Sequence, residues 1–167
     1  MSGISNAVDI GSGNRISCAL LSTGKIKCWG KNNKGQIGDG TTTDKLSPVE
    51  LSLTNIVKIA VGQAYVCVVI NDGTLKCWGY NLDGQLGDGT TTDRSTPTDV
   101  SGISDAVDIA AGVGNTCAVL SDKTVKCWGH YIAGAGSDTG AGSKQKTPKL
   151  VSGLNDVVQV TCGNYLC

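Results

Sequence analysis

The stretch KCWGYNLDGQLGDGTTTD, residues 76–93, decides the fold because the chain writes it more than once. Residues 27–44 read KCWGKNNKGQIGDGTTTD, and residues 126–138 read KCWGHYIAGAGSD. The copies start forty-nine and then fifty residues apart. Self-similarity at a fixed period of this length marks a solenoid, a propeller or an array, in which each unit buries its apolar face against the next.

The repetition reaches well beyond those words. Each unit opens on an apolar run: AVDIGSG from Ala7, IVKIAVG from Ile56, AVDIAAG from Ala106 and VVQVTCG from Val157. The first three runs are followed by Cys18, Cys67 and Cys117, then by Cys28, Cys77 and Cys127 directly before Trp29, Trp78 and Trp128. A Gly, a polar loop and a proline (Pro48, Pro97, Pro148) complete the unit. One repeat domain therefore spans residues 1–167, with units at about 2–50, 51–100 and 101–151 and a partial unit at 152–167.

Inside a unit the elements read as short strands. CVVINDGTLKCWG, from Cys67, alternates around an Asn-Asp-Gly turn signal flanked by Val, Ile and Leu. Sustained helical periodicity is absent, and glycine recurs too often for long helices. About four strands per unit, Gly-rich turns and one Trp per unit predict an all-β chain of propeller blades, three with four antiparallel strands and a partial fourth, forming part of a closed ring. Trp29, Trp78 and Trp128 are expected at equivalent packed positions in the blade core, in preference to a ligand cage.

The hairpins constrain the cysteines. A three-residue loop at Asn71, Asp72 and Gly73 pairs Val69 with Leu75, Val68 with Lys76 and Cys67 with Cys77. Such loops need a left-handed residue at their last position, where Gly73 and Gly24 stand and Lys123 breaks the rule. A loop one residue longer or shorter would send the two cysteines to opposite faces. Directly opposed cross-strand residues suit a disulfide, so Cys18–Cys28, Cys67–Cys77 and Cys117–Cys127 are the expected bridges. Buried free thiols are the plainer reading. Zinc fits poorly, because nine residues separate each pair and His130 is the only histidine. Cys162 and Cys167 lie outside the pattern and form a further candidate pair.

Composition narrows the function classes. The 167 residues hold 14 Lys plus Arg and 14 Asp plus Glu, which leaves no net field for nucleic acid or an acidic membrane surface. No apolar run approaches the roughly 18 residues of a membrane span, so membrane insertion is not expected. Eight cysteines are many for a reducing compartment, which points to an extracellular or cell-surface setting. The opening MSGISNAVDI carries no basic start followed by an apolar stretch, the mark of a secretory signal. A chain cut from a longer secreted protein would reconcile the two.

Chemical motifs are weak. GDGTTTD places Asp39 with Asp44, and Asp88 with Asp93, but calcium wants more oxygen ligands than two carboxylates per loop supply. A hydrogen-bonded turn scaffold explains Asp, Gly and Thr together. GQLGDG lacks the Lys-Ser/Thr pair of a phosphate loop, and no motif sets a nucleophile beside His130. No catalytic residue, metal site or cofactor is expected, and the chain reads as a non-enzyme.

AVDIAAGVGNTCAVLSDKTVKCWG and NLDGQLGDGTTTDRSTP closely resemble the repeats of the regulator of chromosome condensation family, and the resemblance covers essentially the whole chain. It implies blades of four antiparallel strands, commonly seven to a ring; the cysteine-bearing form looks like a bacterial or extracellular branch. The third unit departs from the family pattern, since HYIAGAGSDTGAGSKQKTP has one extra residue and no Gln-Leu-Gly core. The founding activity of the family, guanine nucleotide exchange, uses a wedge inserted in one blade, and no insertion appears between units here.

Function on a propeller sits on its loops. The positions after Trp-Gly vary between copies and form the candidate interaction loops: Lys31 and Asn32, then Tyr80, Asn81 and Leu82, then His130, Tyr131 and Ile132. The segments before the first cysteine (NRIS, QAYV, VGNT) vary as well. The expected partner is another protein or further copies of the same chain, giving an interaction or structural scaffold. A nucleotide exchange factor-like regulator and a glycan-binding propeller are the alternatives. The partial unit repeats a strand already present at residues 7–12. That duplication suits an excerpt from a longer array, or a protomer that hands residues 157–160 to a neighbour.

Overall fold

The structure is a computed structural model that describes residues 4–130 and 144–163. The first sheet contains β1 (Ala7–Ser12), β2 (Ile16–Leu21), β3 (Ile26–Gly30) and β4 (Lys45–Glu50). The second contains β5 (Ile56–Val61), β6 (Tyr65–Ile70), β7 (Leu75–Gly79) and β8 (Arg94–Asp99). The third contains β9 (Ala106–Ala111), β10 (Asn115–Leu120), β11 (Val125–His130) and β12 (Lys144–Leu150). Each sheet is an antiparallel meander with its strands in chain order. The first strands β1, β5 and β9 lie side by side, so the sheets splay from a common axis as propeller blades do.

The hairpin register is the expected one. Cys18 faces Cys28, Cys67 faces Cys77 and Cys117 faces Cys127. All three pairs are disulfides, with Cα atoms 4.1 Å apart. Gly24 and Gly73 take positive φ at the turn, and Lys123 adopts φ 65° in their place in the third hairpin. A non-glycine residue in that region costs about 1 kcal/mol. Among the described residues no cysteine is free; Cys167, the expected partner of Cys162, lies outside them.

Side-chain alternation gives each blade two apolar faces, and the facing sides of successive blades pack together. Ile16, Cys18, Leu20, Ile26 and Cys28 of blade 1 pack on Val66, Val68, Ile70 and Trp78 of blade 2. The opposite face of blade 2, with Tyr65, Cys67, Val69, Leu75 and Cys77, packs on Ile109, Ala118, Leu120 and Trp128 of blade 3. The disulfides therefore lie at the interfaces, each on the face turned toward the following blade.

The ends differ from the middle, and two expectations need correction there. Trp78 and Trp128 are fully buried, but Trp29 is only half-buried, because no sheet precedes blade 1 among the described residues. Ile10 is 68% exposed, whereas Ile109 at the matching position of β9 is 6% exposed. Leu46, which matches Ser95 of β8, is 99% exposed. At the other end, residues 157–160 do not form a strand. Val157, Val160 and Cys162 instead lie on the Cys117, Val119, Val125 and Cys127 face of blade 3, as β9 lies on blade 2. The fourth unit thus occupies the place of a first strand, but no second strand pairs with it among the described residues.

Candidate interaction face

The loops joining the first strand to the second and the third to the fourth meet on one face of the blades; Lys31 N donates to Arg15 O at 2.7 Å. Each of the two described long loops is built around one asparagine. Asn32 donates through its side-chain amide to Thr41 O at 3.0 Å and Thr43 O at 3.1 Å, and its Oδ1 accepts from Ile37 N at 2.8 Å. Its own N–H donates to Asp44 Oδ1 at 2.7 Å. Asn81 makes the same set with Thr90, Thr92, Leu86 and Asp93. Asn32 and Asn81 are therefore buried organisers of the loop, which corrects their reading as interaction residues. A loop with few apolar residues has no core of its own, and a buried amide with every bond made supplies the order.

The aspartates of GDGTTTD serve the same frame. Asp39 accepts from Thr41 N at 3.0 Å and Thr41 Oγ1 at 2.7 Å, and pairs with Lys45 at 2.7 Å. Burial pushes its carboxyl up, but the bonds from Lys45 and Thr41 outweigh it and the pKa falls from 3.8 to about 2. Asp88 repeats the pattern with Thr90 and Arg94, and its pKa is likewise lowered against the pull of burial. These carboxylates are held by hydroxyls, amides and cations of their own turn.

The same loops clasp the next blade. Trp78 Nε1 donates to Gln36 O at 3.0 Å and Trp128 Nε1 to Gln85 O at 2.8 Å. The approach requires glycine at Gly38 and Gly87, where a Cβ would lie 2.5 Å and 2.7 Å from the respective indole nitrogen. A further strut lies in a segment that read as variable surface. Tyr65 is fully buried, its hydroxyl donates to Asn115 O at 2.6 Å, and Thr116 Oγ1 lies 3.0 Å away. Ile16 and Asn115, at the matching positions, are buried too. Only the tyrosine hydroxyl hints at this role, and a single sequence does not reveal where it points.

The expected surface residues divide by position. Leu82 is exposed; Lys31, Tyr80 and His130 are half-buried. Tyr131 and Ile132 lie outside the described residues. Between blades 1 and 2 the face opens into a cleft of about 320 Å³ lined by Asn14, Lys31, Lys34, Gln36, Gln63 and Tyr80. Lys34 Nζ lies 5.0 Å from the centre of the Tyr80 ring and 3.2 Å from Asp93. Between blades 2 and 3 the matching residues meet: Asp83 lies 3.7 Å from His130 Nδ1 and 3.4 Å from Lys144 Nζ. Among the described residues no group of three or more His, Cys, Asp and Glu side chains is arranged to hold a metal.

Three disulfide-bearing four-stranded blades, the second and third each clasped by the Gln carbonyl of the one before, define a β-propeller repeat protein. The family model of the regulator of chromosome condensation (RCC1) repeat matches residues 23–69 and 72–119, and a second model of that repeat matches residues 7–36 and 56–85. The chain belongs to this family. Human WBSCR16 shares the fold with a TM-score of 0.83 at 22% identity, over 95% of this chain and 43% of its own. Prp20p from Saccharomyces cerevisiae gives 0.73 at 24% identity, over 89% of this chain and 39% of its own. The ectodomain of the Physcomitrella patens receptor kinase CR4 gives 0.51 at 25% identity, over 77% of this chain and 31% of its own. The chain thus spans less than half the length of each of these structures. No curated protein matches it.

Proposed function

We propose that this chain is a non-enzymatic protein-interaction module that works outside the cell or at its surface. One observation carries the reading: the loop frame of Asn32, Asp39 and Asp44 is reproduced by Asn81, Asp88 and Asp93, while Lys31, Asn33 and Lys34 displayed on it become Tyr80, Leu82 and Asp83. A frame held constant with changing display suits recognition. Asp39, Asp44, Asp88 and Asp93 are engaged in the turns themselves, which favours a structural role for the motif. Three buried disulfides suit an oxidising compartment, and the CR4 relative is an ectodomain. Prp20p is described with binding properties to Gsp1p and histones, which supports a protein partner in place of a small substrate.

The end faces belong to the same reading. Ile10, Leu46 and Trp29 present an apolar surface, Ile109, Trp78 and Trp128 at matching positions are buried, and propeller rings close at about four to eight blades. Further blades, from the same polypeptide or from another copy, cover it.

Affinity capture from a cell-surface fraction tests the module. The wild-type chain is expected to retain a protein that a triple variant, Lys31→Glu, Tyr80→Ala and Leu82→Ser, does not. Equal retention by the variant, or binding to a glycan array with no retained protein, would sink the reading.

A further inference from the structure

We propose that the cleft between blades 1 and 2 receives an acidic side chain of a peptide partner. This rests on the interaction-module reading and gives the partner a chemistry.

The floor of the cleft is Gln36, which is 1% exposed. Its Oε1 accepts from Lys34 N at 2.8 Å, while its amide nitrogen donates to no described residue. An amide donor that lines the cleft and has no acceptor among the described residues is open to an incoming oxygen. Beside it stands Lys31, half-buried and with no carboxylate in ion-pair range among the described residues. Its neighbour Lys34 is held in place by Asp93 and the Tyr80 ring. An ammonium and an amide donor converging on one space match a group that only accepts, and an ionised carboxylate is that group.

Comparison of the two junctions within the chain strengthens the assignment. At the blade 2–3 junction Asp83 stands in the place of Lys34 and His130 in the place of Tyr80. Asp83 there pairs with Lys144 and His130 and lies against Gly114, where a Cβ would meet its carboxylate oxygen at 3.1 Å. Gln85 Nε2 is buried without a partner there among the described residues, and the junction holds a carboxylate of the chain itself, Asp83. The blade 1–2 cleft has a glutamine at the same position and a lysine where Asp83 stands, and among the described residues no carboxylate pairs with Lys31. A glycan fits less well: Tyr80 is the one aromatic lining residue, and the Lys34 ammonium already covers a face of its ring.

Fluorescence anisotropy with the full chain and a labelled octapeptide of alternating Glu and Ser tests the proposal. Saturable binding is expected, about tenfold or more weaker for the Gln-for-Glu peptide and for Lys31→Ala. Lys31→Arg and His130→Ala should bind as the wild type does. The side-chain amide signals of Gln36 should shift on titration in nitrogen-resolved NMR spectra, a readout that needs no variant of a buried residue. Equal binding of the neutral peptide, indifference to Lys31→Ala, or Lys31-dependent binding of a sialylated oligosaccharide with none of the acidic peptide would overturn it. If the acidic peptide fails while capture through Lys31, Tyr80 and Leu82 persists, only this inference falls; if capture fails as well, both do.

Discussion

The indole N–H of Trp78 donates to the backbone carbonyl of Gln36, 3.0 Å away in the preceding blade. Trp128 repeats the bond with Gln85, and Trp29 has no preceding blade to meet among the described residues. The same residue in the same word of sequence therefore does two different jobs. Trp78→Ala and Trp128→Ala each remove a buried indole from an interface, at an expected cost of about 3–5 kcal/mol. Trp29→Ala should cost clearly less in this chain alone. Urea denaturation of the three variants checks the ranking. When a further blade covers the Ile10 and Leu46 face, the cost at Trp29 should rise to that of the other two.

Reduction tests the hairpins. Each bridge closes a loop of about eleven residues, worth about 2.5–3 kcal/mol in the chain-entropy model. Intact mass with and without reductant should differ by about two mass units per bridge. The melting temperature should fall stepwise as Cys18–Cys28, Cys67–Cys77 and Cys117–Cys127 are removed by paired Cys→Ala substitution. A reduced protein as stable as the oxidised one would show that the thiols pack equally well unbridged.

Acid should loosen the first loop through Asp39. Its folded pKa of about 2 lies below the ordinary value of 3.8, so its stabilisation is full above about pH 4 and is lost as the pH falls toward 2. The shift corresponds to about 2 kcal/mol. Asp39→Asn should flatten the pH dependence of thermal stability in that window while lowering stability at neutral pH. An unchanged slope in the variant would place the acid sensitivity elsewhere.

Tyr65 couples blade 2 to blade 3 through one hydroxyl. Tyr65→Phe keeps the ring but leaves the Asn115 carbonyl without its 2.6 Å donor, at an expected cost of about 1–2 kcal/mol. Amide hydrogen exchange should report it as faster opening in β9 and β10, with β2 and β3 unchanged. Uniform acceleration across all blades would mean that the strut is global.

The sequence by itself determined what depends on local chemistry. The period set the blade number, side-chain alternation set the two apolar faces, and the three-residue turns set the register that brings Cys67 opposite Cys77. Even the break at Lys123 was legible, because a turn position demands a backbone conformation whatever its surroundings. Tertiary structure alone decided which identical words are buried and which exposed. Asn32 and Asn81 sit among the positions after Trp-Gly that vary between copies, and only the closed loop shows that they hold it together. Trp29 differs from Trp78 by its neighbour and not by its sequence, and among the described residues Lys34 has a carboxylate partner in Asp93 while Lys31 has none. Burial and charge balance are properties of the space between blades, and that space is shared by residues about fifty positions apart.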